Sequence, residues 1–210
     1  MSIAEKKLIA SANSVIIAEN EQKVYEAGKK AEYDSFWDVF QNKGNSRIYY
    51  YAFSNNRFND TNFNPKYPLN CSTANTAAQH MFSSNITITD TKVPIIVNGS
   101  NANAIFYGAT KLKIVRELQL TNANTSVSSM FANCESLENI TITGTGKIAS
   151  ACDISDSSKL SSASVDSIIE HLKDLTGATA LKLTLNSTVG NKLTEDQKAS
   201  ITAKNWTLVY

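Results

Sequence analysis

The chain has 210 residues, 19% of them charged, with a formal net charge of +1. That length suits one domain with an appendage, and the charge balance supplies no one-signed field of the kind that attracts nucleic acid or an anionic membrane surface. Its unusual feature is polarity without charge: 22 Asn, 24 Ser and 19 Thr favour turns, caps and short strands over long helices.

No apolar run reaches the roughly 18 residues of a membrane span. Lys6 and Lys7 precede Leu8 to Ala18, but Ser11, Asn13 and Ser14 interrupt that run and no small-residue cleavage site follows, so no signal peptide is expected. Asn-x-Ser/Thr triplets such as Asn85-Ile-Thr87 and Asn139-Ile-Thr141 are what this composition produces by chance. Cys71, Cys134 and Cys152 are too scattered for a disulfide framework or a metal pair and read as small buried side chains.

From Ser2 to Gln41 there is no proline, and Ile3, Ala10, Ile17, Val24 and Ala31 recur every seven residues, which predicts a long amphipathic helix. Lys6, Asn13, Asn20 and Asp34 spoil the companion row, so a full coiled-coil seam is not written. Tyr33, Phe36, Trp37, Val39 and Phe40 would dock its end. Residues 42–75 are Asn-rich and studded with aromatics, including Tyr49, Tyr50, Tyr51, Phe53, Phe58, Phe63 and Tyr67, and are broken by Pro65 and Pro68. These rings either seal the end of a core or, with the Asn side chains, offer a carbohydrate-like binding surface.

Met81-Phe82, Ile105-Phe106 and Met130-Phe131 then stand 24 and 25 residues apart, a period within the leucine-rich-repeat range. Leu112 and Val115 follow Phe106 at offsets of six and nine, and Leu137 and Ile140 follow Phe131 at the same offsets. The first copy reads as shortened, running from Phe82 to Ile86 and Ile88. Strands are expected at Val93 to Val97, Glu117 to Leu120, Asn139 to Thr143 and Ala180 to Leu185. The repeat core is therefore predicted at Phe82, Phe106, Phe131, Leu112, Leu137, Val115 and Ile140.

Near the C-terminus Ser164 is placed to cap a helix carrying Val165, Ile168, Ile169, Leu172 and Leu175, with Gly177 just beyond it. Thr194 and Gln197 form a capping-box pattern for a second helix, and Trp206 to Tyr210 reads as a closing strand. The expected fold is α+β: a short leucine-rich-repeat-like solenoid (42–160), a long N-terminal helical arm (1–41) and a C-terminal strand-helix-strand cap (161–210).

The segment Met130-Phe131-Ala132-Asn133-Cys134-Glu135-Ser136-Leu137-Glu138-Asn139-Ile140 resembles the MF-x-x-C-x-x-L-x-x-I unit of BspA-like leucine-rich-repeat proteins. These are bacterial surface and host-interaction proteins, and the unit also occurs in tail-associated proteins of phages and prophages of gut bacteria. The opening Met1 to Lys6 and the stretch Ala18 to Lys30 resemble the N-termini of that phage-linked group; the likeness is weaker over 42–100, where the first copy lacks the Cys. The resemblance implies a BspA-type solenoid and a context of surface recognition, and it carries over no catalytic residue.

Catalytic signatures are missing as well. His80 and His171 stand outside any motif, Gly144-Thr145-Gly146 lacks the third glycine of a nucleotide fingerprint, and Asp90, Glu135, Glu138, Asp153 and Asp156 read as solvated carboxylates rather than a calcium site or a glycosidase pair. The expectation is a non-enzymatic protein without cofactor or metal. It would bind a cell-surface protein or glycan through Tyr49, Tyr51, Phe58, Phe63 and Tyr107, with no nucleic-acid partner and no membrane insertion. Phage-tail recognition of a bacterial host, with virion or extracellular location and trimerisation through the N-terminal helix, is the leading reading. A bacterial adhesin-like module and, more remotely, a glycan hydrolase are its alternatives.

Overall fold

Short apolar runs separated by Asn-, Ser- and Gly-rich turns form strands rather than helices, because the turns interrupt any 3.6-residue periodicity before it can extend. The computed structural model describes residues 49–210. The first sheet holds β1 (Leu69–Cys71), β2 (Ile95–Val97), β3 (Ile114–Leu120) and β4 (Asn139–Thr143), all parallel and in that order. The second sheet holds β5 (Cys152–Ile154), β6 (Leu181–Leu185) and β7 (Trp206–Val209), again parallel. The helices are α1 (Ser162–His171), α2 (Ser187–Gly190) and α3 (Glu195–Ala203).

Strand register aligns the inward side chains. Leu69, Ile95, Leu118 and Ile142 form one buried row and Cys71, Val97 and Leu120 another. Opposite them, the chain turns around a line of phenylalanines: Phe53, Phe82, Phe106 and Phe131 follow one another at centroid distances of 5.1, 5.6 and 5.8 Å, the last two contacts stacked. Phe82, Phe106, Phe131, Leu112, Leu137, Val115 and Ile140 are all buried. Burial of each phenylalanine contributes about 1.5–3 kcal/mol.

The first Phe-centred turn of the period is not shortened. Ile88 takes the offset-six position of Leu112 and Leu137, and Thr91 the offset-nine position of Val115 and Ile140. Thr91 is buried, and its hydroxyl accepts from the Arg116 N–H at the β3 bulge, at 3.0 Å. A threonine is tolerated at this apolar position because it satisfies that otherwise orphaned donor. Ile86, the residue expected in the core, is exposed.

The expected α+β leucine-rich-repeat-like solenoid is corrected by these sheets. The strands fall into two separate parallel sheets with few helices among the described residues, in place of one continuous stack closed by a strand-helix-strand cap. The predicted long helix over 1–41 lies outside the described residues. The break after β4 has a local cause: the N–H groups of Ile140 and Ile142 on its outer edge donate to the hydroxyls of Ser164 and Ser167 of α1, at 2.9 and 2.7 Å. A helix thus covers an edge that would otherwise recruit a strand.

Ser164 is therefore not the N-cap of α1; Ser161 is, accepting from the Ser164 N–H. The helix also ends at His171, earlier than its apolar spacing predicts, because Leu172 turns to extended backbone and forms a parallel bridge with Ile148. The Thr194–Gln197 capping box is present at the start of α3, with both reciprocal hydrogen bonds. No helix among the described residues is long and apolar enough to cross a membrane.

Candidate functional site

The backbone hydrogen bonds that tie each Phe-centred turn to the next place equivalent residues side by side. The N–H groups of Tyr51, His80 and Ala104 donate to the carbonyls of Gln79, Asn103 and Ser128. This brings Tyr50, Gln79, Asn103 and Ser128 into one row and Tyr51, His80, Ala104 and Ser129 into the next. All four residues of the second row have positive φ, from 52° to 55°. Left-handed backbone at a non-glycine residue costs roughly 1–2 kcal/mol; its recurrence in every turn makes it the device that reverses the chain ahead of each phenylalanine.

At the first two positions of these rows the side chains form a corner of three rings. Tyr51 and His80 stack at 4.6 Å with planes 7° apart. Tyr50 stands edge-on to both, at 4.6 Å from Tyr51 and 6.1 Å from His80, and is 47% exposed. Burial, followed by the neighbouring Tyr50, raises the Tyr51 hydroxyl pKa above its ordinary value. Beyond the rings lie amides: Asn103 Oδ1 accepts from the Ser126 hydroxyl (2.7 Å) and the Ser128 N–H (2.8 Å), while its Nδ2 makes no hydrogen bond among the described residues.

Of the five residues predicted to bind a ligand, three are core. Tyr49, Phe58 and Phe63 are at most 1% exposed. Phe58 and Phe63 pack edge-on against Phe53, both at 5.1 Å. Tyr51 is half-buried within the ring corner, and Tyr107 is exposed two turns away, so the structure does not bring these two together. Sequence reasoning missed Gln79 and Asn103, set His80 aside as lying outside any motif, and named Tyr50 only as one of the aromatics of 42–75. Their signal was available: extending the Phe alignment two and three residues upstream places each of them in register.

Several other chemistry-bearing groups have structural tasks. His171 is buried, with Nδ1 2.9 Å from the Ser167 carbonyl and Nε2 3.3 Å from the Gly144 carbonyl, and its N–H donates to one of the two. Asp90 pairs with Arg116, Asp156 accepts the Asn133 N–H, and Asp153 accepts the Ser155 N–H. No group of three or more His, Cys, Asp or Glu among the described residues is placed to hold a metal ion. Gly144 and Gly146 mark a close approach to the Leu120 carbonyl, where any Cβ would collide with backbone. All three thiols are buried; burial pushes those of Cys134 and Cys152 up to about 12 and that of Cys71 higher still.

No protein-family model, curated protein or solved structure matches the chain.

A polar cleft of about 440 Å³ lies between α1 and α3. Its groups hold the two helices together: Gln197 Nε2 donates to Asp166 (2.7 Å) and Ser162 (3.2 Å), and Lys204 Nζ donates to the Ile169 and Glu170 carbonyls. Burial, with Lys147 nearby, lowers the Lys204 pKa. The ring corner is the better candidate for an external partner, because Gln197 and Lys204 of the cleft are engaged in the helix–helix contact whereas Tyr50 stands exposed.

Proposed function

We propose that this protein is a non-catalytic surface-recognition protein, associated with a phage or prophage tail and binding a bacterial host surface. The observation that carries this reading is the corner of exposed Tyr50 with half-buried Tyr51 and His80, seated on hydrogen-bonded turns that fix its geometry. Rings held rigidly lose little conformational entropy when a partner packs on them, which favours aromatic residues at recognition surfaces. The resemblance of Met130 to Ile140 to the BspA-like unit supports the same context, as does the absence of any catalytic motif. On this reading the protein acts at the virion surface or outside the cell and self-associates as a trimer.

The test is binding of fluorescently labelled full-length protein to a panel of gut bacterial strains and, in parallel, to epithelial cells. Strain-selective bacterial binding is the expected result. Epithelial binding alone would replace phage recognition by an adhesin-like role, and binding to neither would overturn surface recognition. A monomeric mass by light scattering at micromolar concentration would remove the trimer.

A further inference from the structure

Resting on that reading, we infer that the row running from Tyr50, Tyr51 and His80 through Gln79 to Asn103 and Ser128 is a binding strip for a neutral oligosaccharide.

Three features converge on this ligand class. The first is a ring platform at one end, with Tyr50 and the Tyr51–His80 stack meeting at a corner. Apolar faces of pyranose rings pack on aromatic faces, while their hydroxyls need donors and acceptors close by. The second feature supplies these. Next to the rings lie the Gln79 amide, which makes no hydrogen bond among the described residues, then Asn103 with its free Nδ2, then the exposed Ser128 hydroxyl. Successive positions are one strand spacing apart, about 4.8 Å, a step comparable to one sugar in an extended chain. A sugar on the platform would therefore place its neighbour over the amides.

The third feature is charge. Segments 72–79, 98–105 and 121–129, which lead into this row from three successive turns, contain no Asp, Glu, Lys or Arg. The nearest cations are engaged by the protein itself, Arg57 Nη1 with the Tyr51 carbonyl (3.1 Å) and Lys173 Nζ with Asn124 Oδ1. A sialylated, sulfated or phosphorylated chain would have to compete with those bonds, and an acidic or basic peptide would meet few counter-ions along the row. Hydroxyl groups, by contrast, are matched by Asn, Gln, Ser and Thr side chains that both donate and accept. The positive φ of Tyr51 and His80 is common to the equivalent residues Ala104 and Ser129, so the backbone provides the same left-handed step at all four positions and the ring side chains are the local addition.

The experiment is a glycan microarray carrying neutral, sialylated and sulfated oligosaccharides, probed with the full-length protein and with Tyr50→Ala, Gln79→Ala and Ile86→Ser. Thermal melting of each variant verifies folding. Neither Tyr50 nor Gln79 makes a buried contact on which the fold depends, and Ile86 is an exposed apolar side chain outside the strip. The expected result is binding to neutral glycans. Tyr50→Ala should lower the apparent affinity about tenfold, Gln79→Ala should lower it by a smaller factor, and Ile86→Ser should leave it unchanged. Binding confined to charged glycans, or neutral binding undiminished in both strip variants, overturns the inference. So does the absence of glycan binding by a protein that still labels bacterial cells, a result that leaves surface recognition standing and makes the partner a protein. Failure on both the array and the cells would overturn both proposals.

Discussion

The stretch from Tyr49 to Thr91 and the stretch from Phe131 to Lys173 meet one requirement by different chemistry. In each, the carbonyls of a tight Phe-centred turn point inward and need donors, because an unpaired buried backbone group costs about 1–3 kcal/mol. The earlier region places much of the task on one buried side chain, with the Thr87 hydroxyl assisting at the Phe58 carbonyl. Asn85 is fully buried; its Nδ2 donates to the carbonyls of Phe53 and Phe58, and its Oδ1 accepts from the N–H groups of Thr87 and Ile88.

The later region divides the task. Cys134, at the position equivalent to Asn85, donates its thiol to the Phe106 carbonyl, Ser157 donates to the Cys134 carbonyl, and Ser164 and Ser167 cover the β4 edge. An amide has two donors and an acceptor oxygen, whereas a thiol or hydroxyl has one donor each. One substitution should therefore damage the first region as much as several damage the second.

The largest expected effect is in Asn85→Ala, which should lose about 3 kcal/mol, since the Thr87 and Ile88 N–H groups and the Phe53 carbonyl each lose a hydrogen bond and the Phe58 carbonyl keeps the Thr87 hydroxyl. Urea unfolding measures this; a loss below about 1 kcal/mol would erase the contrast. Next is the double variant Ser164→Ala with Ser167→Ala, which should lose about 2 kcal/mol and, by baring the β4 edge, raise self-association in sedimentation experiments. Loss of stability with no added association would show that other α1 contacts cover the edge unaided.

The thiols sharpen the comparison through pH. The Cys134 and Cys152 thiols are pushed up to about 12 in the fold, against about 8.5 in an unfolded chain. A group with its folded pKa raised contributes stability that is fully present below the unfolded value and lost as pH rises towards the folded one. Stability should thus be insensitive to these thiols below about pH 8.5 and fall by about 1.4 kcal/mol per pH unit per thiol above it. Cys134→Ser should remove one thiol's share of that slope, and an unchanged slope would rule out Cys134 as a contributor.

Smaller still is Cys134→Ala at neutral pH, where loss of a weak donor and one buried atom should cost about 1 kcal/mol, with Cys134→Ser recovering part of it by keeping a donor to Phe106. The smallest change is a gain. Ser129 is exposed at φ 52°, so Ser129→Gly relieves backbone strain and, after the extra entropy of an unfolded glycine, should stabilise by about 0.5 kcal/mol. At the equivalent position in the first region, His80→Gly should fail to stabilise because it removes the ring stacked on Tyr51. Thermal melting of the two variants compares them directly.

Much of the interior was legible from spacing. The Phe–Phe–Phe interval, its offsets of six and nine, the strands expected at 93–97, 117–120, 139–143 and 180–185, which overlap β2, β3, β4 and β6, and the Thr194 capping box all rest on local pattern, and local pattern survives folding. The roles of individual polar residues were not legible. Ser164 looked like a helix cap because Ser before an apolar-periodic run usually is one; its hydroxyl instead serves a strand 24 residues away. Asn85 stood out only as part of a chance Asn-x-Thr triplet, yet its amide makes buried hydrogen bonds to the Phe53 and Phe58 carbonyls and the Thr87 and Ile88 N–H groups. The tyrosines and phenylalanines of 49–67 could not be sorted into core and surface, since burial there is decided by which turn lies above which.

What the amino-acid sequence determined by itself is therefore the set of apolar side chains that must stack and the short strands and caps around them, because periodicity and capping act within a few residues. What only the tertiary structure decided is the division into two parallel sheets, the closure of β4 by serines, and the meeting of Tyr50, Tyr51, His80, Gln79 and Asn103 in adjoining rows. Those depend on hydrogen bonds between residues roughly one turn of the chain apart, whose register is set by the packing of the whole core and by no local signal.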